Sequence, residues 1–368
     1  MNSGAKVKRE RGHRSTIYDV ARMAGVSAGT VSHVINRTAP ISQETKERVQ
    51  DAIEKLGYRR NANARALRTS DPKIVGIAVQ DISSEYYALC SAGILQRAQE
   101  EGYAVITTDG HYSPEALRSG VNALVERQVN GMIFVGGSRD TESYCSANAA
   151  GVPIVFGDRF VEGFPCVEYN NYETMYKLVQ ALYRQGYRKF CYYGEALFFQ
   201  QNLEDRFGGF RDGLRDIGVP DCDVDVLLSE DLGDSKMRKA YELFQENLES
   251  MGMRSDHGKR VVLTSNDLLA QGVISALIRG GIRVPEDVAV FGFDNISIAK
   301  YSVPSFSTVV QDPYALGIEC FEMLLKRMRN PGEKLENVRL KQKLVLRESS
   351  MLNPEIAVSG GLELHSDD

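Results

Sequence analysis

The chain has 368 residues, 43% hydrophobic and 25% charged, with a net charge of -5: too long for one ordinary core and ordinary for a globular protein, so two or three domains are expected. No run of eighteen apolar residues offers a membrane span, and residues 1–14 lack the apolar segment of a secretory signal. Six cysteines never closer than 21 residues exclude CxxC redox and zinc spacing, so a cytoplasmic protein with reduced thiols is expected, without metal or cofactor.

The charge is unevenly placed. Residues 1–70 hold 14 Lys/Arg against 6 Asp/Glu, a balance of +8, whereas the remaining 298 carry -13. A basic module on an acidic body is the footprint of a nucleic-acid binder whose larger part does something else. The plainer reading, a solvated basic tail, fits only residues 1–14, because the later charges alternate with periodic apolar residues.

Thr16 with Asp19 forms a capping-box start, and Ile17, Val20, Ala21 and Ala24 then fall on one helical face. Gly25 breaks that helix, Ser27 caps a second with Val31, Val34 and Ile35 inward, and Ser42 starts a third carrying Val49, Ala52, Ile53 and Leu56 up to Gly57. Three short amphipathic helices over 15–60 read as a helix-turn-helix, whose second helix presents its early residues to base edges in the major groove. Those residues are Ala28, Gly29, Thr30, Ser32 and His33. Ala28 and Gly29 have no side-chain donor, so His33 is expected to read guanine N7 or O6 and Ala28 to touch a thymine methyl. Thr16, Tyr18, Ser27, Thr30, Ser32 and Asn36 carry short polar groups suited to phosphate oxygens.

The runs Thr16-Ile-Tyr-Asp-Val-Ala, Ala24-Gly-Val-Ser, Thr30-Val-Ser-His-Val-Ile-Asn and Asn61-x-x-Ala-Arg-x-Leu67 resemble the headpiece of the LacI/GalR family of bacterial transcription regulators. The resemblance implies a hinge over 61–72 that folds on operator DNA, with Asn61, Arg65 and the wedge Leu67 at the minor groove, where an apolar side chain between base steps kinks the duplex. The family often has proline where Arg60 stands, so a less stiff entry to this hinge is expected.

From Lys73 short apolar runs alternate with amphipathic helices. Strands are predicted at 74–79, 103–107, 131–135, 153–156, 189–193, 224–228, 260–263 and 288–291, with helices at 115–127, 173–184, 207–216, 236–249 and 268–278. Such α/β alternation argues for parallel sheets covered on both faces, as two Rossmann-like subdomains or, less well, a TIM barrel. The resemblance favours the former, a periplasmic-binding-protein-like body over 73–352. Its first lobe would take 73–170 and 311–340, its second 171–310 and 341–352, with a flexible tail over 353–368. Ligands in open α/β sheets sit beyond the carboxyl ends of strands. The resemblance places the effector on Arg206 of R-x-x-G-aromatic and Asp294 of G-aromatic-D, with Asp158, Asn266 and Gln311 at cleft positions. Tyr86 and Tyr87 stand where they could stack on a sugar or base.

Five histidines without an HExxH, GxSxG, Walker loop or dinucleotide fingerprint leave no catalytic constellation, so no enzyme is expected. Gly136-Gly137-Ser138 resembles a phosphate cradle only weakly. The expected function is a homodimeric, sequence-specific repressor on a pseudo-palindromic operator, controlled by a carbohydrate effector. A nucleobase corepressor and a solute-binding protein without DNA function are the alternatives. The tail lacks leucine heptads, which argues for a dimer over a tetramer.

Overall fold

The computed structural model describes residues 15–36, 38–58, 71–137, 151–196, 200–230, 233–253, 259–334 and 336–366. The extension 1–14 and the hinge residues Asn61, Arg65 and Leu67 lie outside them. The chain divides into two compact units, one ending at Pro72 and one beginning at Lys73.

In the first unit α1 (Ile17–Ala24), α2 (Ala28–Asn36) and α3 (Gln43–Leu56) enclose Val20, Ala21, Ala24, Val31, Val49 and Ala52. The caps follow from the residue types. Thr16 and Asp19 satisfy each other's backbone amides, and Gly25 and Gly57 close α1 and α3 in the left-handed conformation at φ 65° and 57°. The Ser15 hydroxyl donates to the Leu56 carbonyl at 2.8 Å, tying the start of this bundle to its end.

The second unit holds two six-stranded sheets. The first runs β2 (Ala104–Asp109), β1 (Ile74–Val79), β3 (Gly131–Val135), β4 (Ile154–Gly157), β5 (Cys166–Tyr169) and β11 (Val338–Leu340), all parallel. The second runs β7 (Val224–Ser229), β6 (Tyr187–Glu195), β8 (Lys259–Thr264), β9 (Val288–Asp294) and β10 (Ser307–Val310) in parallel, with β12 (Lys343–Val345) antiparallel at the edge. Helices cover the faces, which is why β3 and β4 are buried at every position. In the first lobe α4 (Glu85–Glu100) packs on α11 (Pro313–Arg329) so closely that a Cβ at Gly93 or Gly317 would strike the other helix's backbone. In the second lobe α6 (Asn171–Arg184) and α7 (Gln201–Asp216) repeat the arrangement at Gly209.

The chain therefore passes between sheets three times, from β5 into α6, from β10 into α11 and from β11 into β12. All eight strands predicted from sequence are present; β5, β10, β11 and β12 are additional. The segment expected to be a flexible tail is instead built into the second lobe. Helix α12 (Pro354–Ser359) buries Ala357, and Leu344 of β12 exchanges backbone hydrogen bonds with Glu363 and His365 at 2.7 and 2.9 Å. Burial of Leu352 and Leu362 in the second sheet's core explains why the segment stays docked.

Candidate functional site

The first candidate surface is the outer face of α2. Gly29 and His33 are exposed while Val31 is fully buried, as helical spacing requires. Several polar groups there are already engaged. Ser27 Oγ accepts from the Thr30 amide at 3.0 Å and pairs with the Thr30 hydroxyl at 2.9 Å, and Asn36 donates to Ser32 Oγ at 3.1 Å. Thr16 Oγ donates to Asp19 at 2.7 Å. Tyr18 is 70% exposed. His33 Nδ1 lies 2.9 Å from the Thr38 hydroxyl, so the ring is held from one side and its Nε2 is the nitrogen left for a base edge. Gly29 has no close obstacle, since a Cβ there would meet only Ser27 Oγ at 3.5 Å.

The second candidate surface is the cleft between the two sheets, where strand ends from both lobes bring together residues far apart in sequence. Arg206, on α7 and 3% exposed, is its centre. Its Nε donates to Asn171 Oδ1 at 3.1 Å, its Nη2 to Gln311 Oε1 at 3.1 Å, and its Nη1 to the Ser265 carbonyl. Asp294 pairs with Nη1 at 3.6 Å, and the Phe293 ring lies 3.9 Å beneath the guanidinium. Burial pushes the Asp294 carboxyl up despite Arg206 beside it, with Asp158 adding to the rise. Asp267, fully buried, accepts from the Thr308 hydroxyl at 2.6 Å and the Ile296 amide at 2.8 Å, holding the turn after Asp294.

Across the cleft Asp158 accepts from Asn202 at 3.0 Å; burial raises its carboxyl to about 6, against the opposing pull of Arg206. The Tyr86 hydroxyl faces both Asp158 and Tyr169 and helps to hold the Asp158 carboxylate, although these groups stand too far apart for well-formed hydrogen bonds, and the buried Tyr192 hydroxyl has no partner among the described residues. A buried polar atom left unsatisfied costs roughly 1–3 kcal/mol, so the loosely bonded group of Tyr86, Asp158 and Tyr169 is a place where a ligand or water can complete the bonding. Asp158, Tyr112, Asp294 and Asn295 also sit at φ 59°, 55°, 116° and 61°. Left-handed backbone at non-glycine residues concentrates at ligand sites because the surrounding fold has to hold it there.

Gln80, at the end of β1, accepts from Tyr87 Oη at 3.1 Å, the Gly137 amide at 3.2 Å and Gln200 of the opposite lobe at 2.7 Å. Glu195 accepts from Lys236 Nζ at 2.7 Å and Asn266 Nδ2 at 3.0 Å, and Lys236 reaches over the Tyr112 ring of the other lobe at 5.2 Å. Burial works against the Lys236 ammonium, but Glu195 and Tyr112 outweigh it and hold its proton above the usual lysine range. Beside these bridges lies a cavity of about 470 Å³, walled by Gln80, Tyr112, Leu117, Phe134, Gly136 and Gly137 on one lobe and Glu195, Gln200, Leu203, Ser229 and Glu230 on the other. No described lysine or arginine lines it.

The structure thus brings Tyr86, Asp158, Arg206, Asn266, Asp294 and Gln311 into one interlobe region. Tyr87 is engaged by Gln80 and meets Tyr86 edge-on at 5.4 Å, and both rings are core residues, so neither offers a free face for stacking. The cleft also depends on residues not singled out from the sequence: Asn171, Asn202, Glu195, Lys236 and Gln342. Their partners lie 35 to 171 residues away, so no local spacing announces them.

Both units of the chain find matches among known proteins. Residues 16–61 match the family of bacterial regulatory proteins of the lacI type, and residues 179–350 a periplasmic binding protein-like domain. The chain is 30% identical to the transcriptional regulator RegA of Clostridium saccharobutylicum over 92% of its length and 99% of that protein. It is 28% identical to the transcriptional repressor PurR of Histophilus somni over 91% and 98%. Among solved structures it resembles the Lac repressor bound to ONPG, with a TM-score of 0.79 and 25% identity over 92% of this chain and 100% of the other. A complex of the regulator CelR with cellobiose gives a TM-score of 0.65 and 26% identity over the same shares.

Proposed function

The chain belongs to the lacI family of bacterial regulatory proteins, and from that premise we propose that its cleft takes an uncharged carbohydrate whose binding sets the affinity of the headpiece for operator DNA. It is a DNA-binding transcriptional repressor under small-molecule control. Two copies place two headpieces on the half-sites of a pseudo-palindrome, with His33 reading a base and Leu67 wedging the centre. Effector and operator affinities are then linked, and by thermodynamic necessity the linkage is reciprocal.

One observation carries the choice of ligand. The interlobe cavity, which Arg206 and Asp294 do not themselves line, is walled by apolar surface and by acceptors, Glu195 and Glu230 among them, and the Lys236 ammonium that reaches Glu195 is already paired there. Hydroxyl groups donate to carboxylates, and the apolar faces of sugar rings suit Leu117 and Tyr112, whereas a phosphate would face the Glu230 carboxylate with no described lysine or arginine in the lining. The cellobiose held by CelR supports the same reading. A melting experiment on the full-length protein with cellobiose, lactose, glucose, glucose 6-phosphate and hypoxanthine tests it. A neutral sugar at a hundredfold excess over its Kd stabilises the native state by about 2.7 kcal/mol and raises the melting temperature. Stabilisation by hypoxanthine or by glucose 6-phosphate alone overturns the carbohydrate reading.

A further inference from the structure

The three passages between the lobes meet at a single oxygen atom. Asn171 opens α6 directly after the first passage, Gln311 stands on the second and Gln342 on the third. Asn171 Oδ1 accepts from Gln342 Nε2 at 3.1 Å, from Gln311 Nε2 at 3.4 Å and from Arg206 Nε at 3.1 Å. The ring closes through Gln311 Oε1, which accepts from Arg206 Nη2 at 3.1 Å, and the Gln311 backbone N–H donates to the Asp294 backbone carbonyl at 3.3 Å. All four side chains are buried, at 3%, 3%, 8% and 3% exposure for Asn171, Gln311, Gln342 and Arg206.

A buried asparagine that merely needs satisfaction requires one or two partners on its oxygen, which has two lone pairs. Here three donors from separate segments converge on it, and the 3.4 Å contact is the long one, as expected where three donors compete for two lone pairs. The only covalent links between the lobes are these three passages, so any rotation of one lobe on the other turns backbone angles there. A shift of Arg206 that carries the Asn171 oxygen with it disturbs all three attachments together, because they share that acceptor.

We propose that Asn171 is a positioning residue that locks the three interlobe passages to Arg206, so that a ligand drawing on Arg206 acts on the whole hinge rather than on one strand. The functional meaning of the lock rests on the effector reading above, but its existence does not. It predicts concerted mobility, which is measurable without operator or effector.

Amide hydrogen exchange on the full-length protein reads it directly. In Asn171→Ala, exchange at segments 170–172, 310–312 and 341–343 accelerates together, by about tenfold or more if opening becomes local. Asn171→Asp keeps an oxygen acceptor for the same three donors and restores wild-type protection. Gln342→Ala, which leaves the Asn171–Arg206–Gln311 ring in place, accelerates 341–343 and 170–172 and serves if Asn171→Ala fails to fold. Acceleration confined to the mutated segment, or an aspartate variant that stays as mobile as the alanine one, overturns the lock. Neither result bears on whether a sugar binds, so the two readings fail separately.

Discussion

The headpiece and the cleft solve opposite physical problems. On α2 the functional face is the one the core does not need, so Gly29 and His33 stay exposed while Val31 packs inward. In the cleft the functional groups are the core, with Arg206 and Asp158 at 3% exposure and every Arg206 nitrogen engaged. A surface site can be altered at little cost to folding; a buried one cannot, because each polar group there is part of another's satisfaction. The contrast predicts large stability effects in the cleft and small ones on the headpiece.

The largest expected effect is that of Arg206→Ala. Removing the guanidinium strands Asp294 and the oxygens of Asn171 and Gln311 in a closed cleft, and breaking such a buried pair costs about 3–5 kcal/mol. Urea unfolding of the body should show the loss, with headpiece unfolding unchanged. A variant as stable as the wild type would mean that the cleft is wet and open, and that the burial argued for Arg206 is wrong.

Asp158→Asn sharpens the comparison from the other side. Its carboxyl is raised by burial from an ordinary 3.8 to about 6, so between those values the folded state holds a proton that the unfolded chain releases. Stability therefore falls as pH rises through that window, and the ionised group is a standing cost above it, on the order of 3 kcal/mol. Asparagine keeps an oxygen for Asn202, tolerates the φ of 59° and carries no charge. The variant should melt higher at pH 7, with a flatter dependence between pH 4 and 6; Asp294, also raised, leaves a residual slope. An unchanged pH profile would show that Asp158 is not the group titrating there.

The same contrast explains what the sequence made legible. The headpiece is a local object. Its caps lie three residues apart and its core follows helical spacing, so Thr16, Asp19, Gly25 and Val31 could be placed from the pattern alone. Eight strands of the body were equally readable as apolar runs. β5 and β10 were not, because each buries polar residues whose partners are remote: Glu168 is met by Arg339 at 2.7 Å, and Thr308 by Asp267 at 2.6 Å. Arg206 and Asp294 were visible only through family motifs. Asn171 and Gln342 were invisible, since an amide's role as acceptor or donor is set by which segments fold over it. The docked end of the chain looks like a free tail in the sequence for a related reason. Its few apolar residues, Leu352, Ala357 and Leu362, show no period, and their burial depends on α6 and β12 being there to receive them.

The smallest effect is the most discriminating for the headpiece. The sequence pattern points Thr16 at the DNA backbone, but its hydroxyl donates to Asp19 at 2.7 Å while its oxygen accepts from the Asp19 amide at 3.3 Å. A hydroxyl whose donor is spent offers a phosphate only lone pairs, so the capping box competes with DNA contact at this residue. Thr16→Ala should then cost about 1 kcal/mol of headpiece stability, the usual effect of losing an N-cap. Operator affinity would fall only as far as the folded fraction falls, and the slope of log K against log salt would not change, because no cation facing a phosphate has been removed. Thr16→Ser, which can rebuild the box, should recover both stability and binding. If the alanine variant instead folds with full stability and loses affinity at every salt concentration, Thr16 gives up its bond to Asp19 on the operator, and the capping box is a state of the free headpiece alone.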